Sequence, residues 1–231
     1  LSFLVCSVLA FAPFVAKAQE VALPETAAKN AFIMDYDTGN ILMEKSADEK
    51  VPTASMSKVL TTIVVYDALK SGKLTMEQTL PVSQRAWEKS DPKLGESTMF
   101  LPLGSMAKVE DLIRGVVIQS GNDACIVLAE GVAGSEENFV AMMNEKAAEI
   151  GMENSHFTNS TGVDDPNHYS TPRDLAIMGA YLIKNYPEDY KYYSEKDFVY
   201  NNIKQGNRNP LLYKNVGADG IKTGHTSVAG Y

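Results

Sequence analysis

Cysteine is scarce in this chain, and positive charge is outnumbered. Only Cys6 and Cys125 occur in 231 residues. A disulfide-built scaffold needs a much higher cysteine density, so that class is excluded. Lys and Arg total 21 against 29 Asp and Glu, for a formal net charge of −8. A nucleic-acid partner would want a basic face, and none is expected. Histidine is limited to His156, His168 and His225. No two of them have the i, i+4 spacing that turns two imidazoles toward one zinc ion, so no metal site is expected. After the first residues no long apolar run recurs, and there is no internal repeat, low-complexity tract or charge block. What remains is an ordinary globular composition, 45% hydrophobic and 22% charged, with ample material for a core.

The start of the chain differs from the rest. Leu1 to Val15 is almost wholly apolar and uncharged, and Ala16-Lys17-Ala18 precedes Gln19. The small-x-small pattern after an apolar stretch reads as a secretory leader, residues 1–18, with cleavage after Ala18. No basic n-region or initiator Met precedes it, so the leader is read as entered partway. Once it is removed, Cys125 is the single thiol, expected to be a packed core group.

Three short motifs carry the chemistry. Ser55-Met56-Ser57-Lys58 comes first, then Ser120-Gly121-Asn122, then Lys222-Thr223-Gly224. Together they offer a nucleophile, a lysine base, a polar proton relay and an anion-binding strand, the equipment of an active-site serine acyltransferase. Ser-x-x-Lys alone is weak, arising by chance roughly once in a few hundred residues. It also occurs as Ser90/Lys93 and Ser105/Lys108. Ser90 to Lys93 contains Pro92 and runs into Leu94-Gly95, a turn signal. Ser105 reads as the opening of a helix that leads to Ser120. At 1.5 Å per residue the two would stand about 22 Å apart, too far to share a site. Ser55 instead opens a stretch with Met56, Val59, Leu60, Ile63 and Val64 on one helical face. Residues i and i+3 are neighbours there, so Ser55 and Lys58 are the chosen pair. Lys58 must be neutral to act as base, and burial plus a nearby cation, Lys222, would lower its pKa.

The organisation is read from local signals. Ala31 to Asp35 and Ile41 to Lys45 read as a hairpin around Asp37-Thr38-Gly39-Asn40. The Ser55 helix should end near Ser71-Gly72. A loop-rich region spans about Leu80 to Gly104. Helices are expected from Val109 to Gln119, from Asn122 to Ala133, after the N-cap Ser135, and after Thr171-Pro172 as far as Asn185. Phe198 to Ile203 and Gly220 to Thr226 are strand candidates. The expected fold class is α/β, an antiparallel sheet assembled from distant pieces and flanked by helices.

The chain resembles the low-molecular-mass penicillin-binding proteins that act as D-alanyl-D-alanine carboxypeptidases. The likeness rests on the three motifs in order. It extends to Pro52-Thr53-Ala54, Gln119, Asp123-Ala124-Cys125, Tyr169-Ser170-Thr171-Pro172-Arg173-Asp174, Asn207-Arg208-Asn209, Asp219-Gly220-Ile221 and His225-Thr226. It implies the penicillin-binding protein/β-lactamase-like transpeptidase fold with a mainly helical subdomain, here expected to be cut short at its C-terminus. It implies Ser55 as nucleophile, Lys58 as base and Ser120 as proton relay. Asn122 would bind the substrate amide and orient Lys58. Lys222 and Thr223 would hold the terminal carboxylate of a peptide ending in D-Ala-D-Ala, with Arg208 assisting. Gly224 would let substrate lie close, and the backbone N–H groups of Ser55 and His225 would form the oxyanion hole. The implied partners are peptidoglycan stem peptides and, as acylating inhibitors, β-lactams. No cofactor is required. The implied location is exported, in the periplasm or on the outer face of the bacterial cytoplasmic membrane, with anchoring by a C-terminal segment outside this chain. Alternatives are a D,D-endopeptidase, a serine β-lactamase and a catalytically silent cell-wall-binding protein. The Glu-x-x-Leu-Asn stretch of a class A β-lactamase is missing.

Overall fold

A computed structural model describes residues 25–89, 93 and 95–230. The expected leader, with Cys6, lies outside them, as does Ser90. Strands β1 (Ala31–Met34) and β2 (Ile41–Lys45) form the expected antiparallel hairpin. The chain then enters a single 3-10 turn, Ala54–Ser57, that runs straight into helix α1 (Lys58–Lys70). Ser55 therefore sits on a 3-10 turn and not on an α-helix. The change favours the pair, because i and i+3 side chains eclipse in 3-10 geometry.

Helix α1 is the axis of the core. From Lys58 through Tyr66 every residue is buried, where the sequence suggests one buried face. Such a helix has neighbours all round. It packs against α4 (Asn122–Ala133), α5 (Glu136–Glu149) and α6 (Pro172–Asn185). Thr61 and Thr62 survive in this interior because each hydroxyl is bonded. Thr61 Oγ1 donates to the Ser160 carbonyl at 2.7 Å, and Thr62 Oγ1 meets the Tyr193 hydroxyl at 2.5 Å. The α5 and α6 starts match their signals. Ser135 accepts from the Asn138 N–H and Thr171 from the Asp174 N–H, as N-caps do.

Several expectations are corrected. Ser105 does not open a helix. Met106–Lys108 is strand β4, paired antiparallel with β3 (Thr79–Pro81). The third Ser-x-x-Lys match thus has Lys108 at the end of a strand and Ser105 just before its start. Helix α3 covers only Val109–Arg114, and a π-helical turn, Gly115–Gln119, completes the stretch. The region from 80 to 104 is not all loop, since it also holds α2 (Gln84–Glu88), which packs on α4. The strand expected from Phe198 to Ile203 is a hairpin, β5 (Asp197–Tyr200) and β6 (Ile203–Gly206). Asn201 and Asn202 both take positive φ at its tip, the requirement of a tight primed turn that Asn meets. A short helix α7 (Pro187–Tyr190) follows α6.

The fold is mixed α/β with antiparallel pairing, as expected, but the strands form three two-stranded sheets among the described residues. Gly220 to Thr226 joins none of them. No helix among the described residues is long and apolar enough to cross a membrane.

Candidate active site

The Ser55 turn is clamped on two sides by glycines. Gly162 has φ +81°, and a Cβ placed there would stand 1.8 Å from the Ala54 carbonyl oxygen. Only glycine fits such an approach at that backbone angle. A Cβ on Gly224 would stand 2.9 Å from the Thr53 oxygen and 3.1 Å from the Ser55 nitrogen. The family resemblance assigns Gly224 to the substrate. In the structure its small size first lets the Lys-Thr-Gly segment lie against the Ser55 turn.

Lys58 Nζ lies 3.0 Å from Ser55 Oγ and 2.6 Å from the Thr161 carbonyl oxygen. Lys58 is 1% exposed. Burial lowers its pKa below the ordinary 10.5, and the nearby Arg208 guanidinium adds to the lowering, because both disfavour the charged form. The sequence suggests Lys222 as the depressing cation, but the charge that lowers Lys58 is Arg208. The pKa of Lys222 itself falls well below the usual lysine value, through burial first and then through Lys58 and Arg208. Buried Lys58, part-buried Lys222 and exposed Arg208 thus act on one another electrostatically. A free amine on Lys58 is a base within hydrogen-bond reach of a serine hydroxyl.

Ser120 ends the π-helical turn with φ 66°, a left-handed conformation that serine rarely adopts. It is 2% exposed, and its hydroxyl has no hydrogen-bond partner among the described residues. A buried, unsatisfied hydroxyl at a strained residue points to function. Asn122 begins α4. Its side-chain amide N–H donates to the Glu96 carboxylate, while its backbone N–H donates to the Ser97 carbonyl at 2.7 Å. Arg208 Nη1 donates to Ser97 Oγ at 2.7 Å. The segment of Glu96 and Ser97 therefore engages both Asn122 and Arg208. Buried Asp123 anchors the adjoining residues, accepting from Thr98 Oγ1 and from the N–H groups of Met99, Leu101 and Ala124.

A cleft of about 330 Å³ opens over Ser55 and Asn122, bordered by Glu96, Thr161 and His225. Lys222 Nζ is bonded to the Thr223 carbonyl at 2.9 Å. The structure thus brings Ser55, Lys58, Asn122, Lys222, Thr223, Gly224, His225 and Arg208 to one region, with Ser120 two residues before Asn122. Cys125 is fully buried, and burial pushes its thiol up to about 12. It is the packed core group expected.

Thr161 and Glu96 are parts of the site that the sequence does not reveal, and His168 is bonded to Ser57 beside it. Thr161 acts through its carbonyl, which no side-chain motif can mark. Glu96 lies in a stretch that reads as loop. His168 invites only a test of metal spacing, which it fails.

The family of D-alanyl-D-alanine carboxypeptidases matches residues 17–231. The chain belongs to that family. Among relatives, it is 46% identical over 212 residues to D-alanyl-D-alanine carboxypeptidase DacA of Haemophilus influenzae, covering 91% of this chain and 53% of that protein. It is also 46% identical to D-alanyl-D-alanine carboxypeptidase DacC of Escherichia coli, over 96% of this chain and 56% of that one. The solved structure of penicillin binding protein 5 from Haemophilus influenzae superposes with a TM-score of 0.87, covering 91% of this chain and 61% of that chain. The chain spans about half the length of the relatives it matches. The resemblance read from the motifs and the penicillin-binding protein fold are thereby shown.

Proposed function

We propose that the protein is a serine-type D-Ala-D-Ala carboxypeptidase acting on peptidoglycan stem peptides. The observation that carries the reading is Lys58 Nζ at 3.0 Å from Ser55 Oγ in a buried site that lowers the lysine pKa. Neutral Lys58 takes the proton of Ser55 as Oγ attacks the carbonyl between the two D-Ala residues. The backbone N–H groups of Ser55 and His225 stabilise the developing oxyanion. The closeness of Gly224 to the Ser55 nitrogen supports that pairing. The tetrahedral intermediate then collapses. The C–N bond breaks, and the proton held by Lys58 passes through Ser120 to the leaving amine of D-Ala. Water, activated in the same way, hydrolyses the Ser55 ester and releases the shortened peptide.

Lys222, Thr223 and Arg208 supply the positive and hydrogen-bonding groups for the terminal carboxylate. Asn122 binds the substrate amide after exchanging its contact with Glu96. β-Lactams, which carry a similar carboxylate and a strained amide, acylate the same Ser55. The protein is exported, with residues 1–18 as its leader, to the periplasm or the outer face of the cytoplasmic membrane.

The test is acylation by a fluorescent penicillin followed by peptide mapping, together with release of D-Ala from a D-Ala-D-Ala peptide by the full-length protein. The expected adduct is on Ser55. An adduct on another serine, or labelling undiminished in Ser55→Ala, rejects the assignment.

A further inference from the structure

His168 is the most buried of the histidines, 4% exposed, and no motif claims it. Its two ring nitrogens face different parts of the site. The Thr158 backbone N–H donates to Nδ1 at 3.1 Å. An amide N–H can only donate, so Nδ1 carries the lone pair and Nε2 carries the proton. Nε2–H then donates to Ser57 Oγ at 2.7 Å, and the Ser57 and Thr53 hydroxyls share a hydrogen bond of 2.6 Å in which either can donate. Thr53 and Ser57 are both fully buried, so water does not compete for these bonds. The ring is held edge-on to Phe157, with centroids 5.4 Å apart.

The two ends of this relay are the two supports of the nucleophile and base. Thr53 and Ser57 bracket the 3-10 turn that carries Ser55, and the Thr53 carbonyl accepts from the Met56 N–H at 3.1 Å. Thr158 leads directly into the segment whose Thr161 carbonyl holds Lys58 Nζ. That segment is stiffened by Asn159 Oδ1, which accepts from the Thr161 and Gly162 N–H groups at 3.1 and 2.7 Å. Glu136 fixes it further by accepting from the Ser160 N–H and hydroxyl. Lys58 and Thr161 are 103 residues apart in sequence. One imidazole links the turn and the segment to which they belong.

We propose that His168 is a positioning residue for acylation, its ring fixing the Ser55 turn against the Thr161 segment so that Ser55 Oγ and the Lys58 amine stay in register. The inference rests on the reading of Ser55 and Lys58 as nucleophile and base. Burial pulls the His168 pKa down to about 4, so the ring stays neutral at neutral pH and Nδ1 keeps accepting from Thr158. Small displacements of reacting groups cost large rate factors, which makes the role measurable apart from folding.

The experiment uses the full-length protein and a reporter penicillin, with the noncovalent dissociation constant and the acylation rate constant measured separately by stopped flow. All variants are assayed well below their melting temperatures. His168→Phe keeps the ring against Phe157 and removes both polar contacts. It is expected to slow acylation about tenfold or more while the dissociation constant moves by less than about threefold. His168→Gln, which retains a donor for Ser57, is expected to recover part of the rate. Ser57→Ala breaks the same relay from its other end, and the double variant should be no slower than the slower single one. Folded His168→Phe that acylates at the wild-type rate, with only its melting temperature lowered, overturns the proposal. If His168→Phe does not fold, wild-type acylation by Ser57→Ala overturns it instead. Failure of the wild-type protein to acylate would reject the proposed function and not this inference alone.

Discussion

A lysine taken out of water is held more easily as a free amine than as an ammonium, and Lys58 uses that fact. Its pKa is depressed by burial first, and Arg208 is the next group to lower it. The acylation rate should therefore rise with pH as Lys58 loses its proton, with a midpoint below the ordinary 10.5. Lys58→Arg keeps the charge but offers no neutral form near neutral pH. It should acylate at least about 10²-fold more slowly, as read by penicillin labelling of folded protein. His168 allows a stability test. Its native pKa is about 4 against an ordinary 6.5, lowered by burial, with the nearby Asp165 and Asp164 opposing and His156 and Lys58 assisting. A lowered native value means the unfolded chain binds the proton first. The resulting loss of stability begins as pH falls below 6.5 and is complete near 4. It amounts to about 3 kcal/mol. Urea unfolding at about pH 7.5 and about pH 4.5, on either side of most of that titration, should show His168→Phe losing less stability than wild type. Equal losses would mean that the ring protonates freely in the native state.

At the scale of elements, the site depends on segments that meet without sheet pairing. The loop after Glu96 is tied to the start of α4 by Asp123, whose carboxylate accepts four hydrogen bonds. Asp123→Ala would leave the buried Thr98 hydroxyl and the Met99 and Leu101 N–H groups unsatisfied. Each such group costs about 1–3 kcal/mol, so a loss of about 3 kcal/mol or more is expected in denaturant unfolding, with Asp123→Asn milder. The Ser55 turn makes a different demand. Gly162→Ala combines a positive φ with a methyl 1.8 Å from the Ala54 oxygen. The turn must move, and acylation should fall by about 10²-fold while far-ultraviolet circular dichroism stays native. The elements differ in how far they can be read from the sequence. The Thr171-Pro172 and Ser135 caps and the Asn122–Ala133 helix are legible because capping and periodicity are local. The β5–β6 turn is not, since Asn201-Asn202 has no glycine to mark it. The pairing of Met106–Lys108 with Thr79–Pro81 is hidden because a three-residue strand is too short to show alternation.

For the whole molecule, the reading as an exported enzyme makes a covalent prediction. Intact mass of the secreted protein should correspond to a chain starting at Gln19, with Cys125 the one thiol among residues 19–231. A mass that retains residues 1–18 would remove the leader assignment. Because that thiol is fully buried and pushed up to about 12, native protein should resist iodoacetamide at Cys125. Labelling should appear there only on unfolding.

The sequence by itself determined the identity of the chemistry. Ser55-Met56-Ser57-Lys58, Ser120-Gly121-Asn122 and Lys222-Thr223-Gly224 name the proposed reacting groups because each role demands a particular functional group at a particular local spacing. The tertiary structure alone decided how those groups are tuned and held. The Thr161 carbonyl, the Glu96 carboxylate on Asn122, the His168 relay and the glycine clamps at 162 and 224 all join residues far apart in the chain. So does the burial that lowers the Lys58 pKa. Their partners are set by packing around α1, and a linear pattern carries no record of which distant backbone comes to rest against the Ser55 turn.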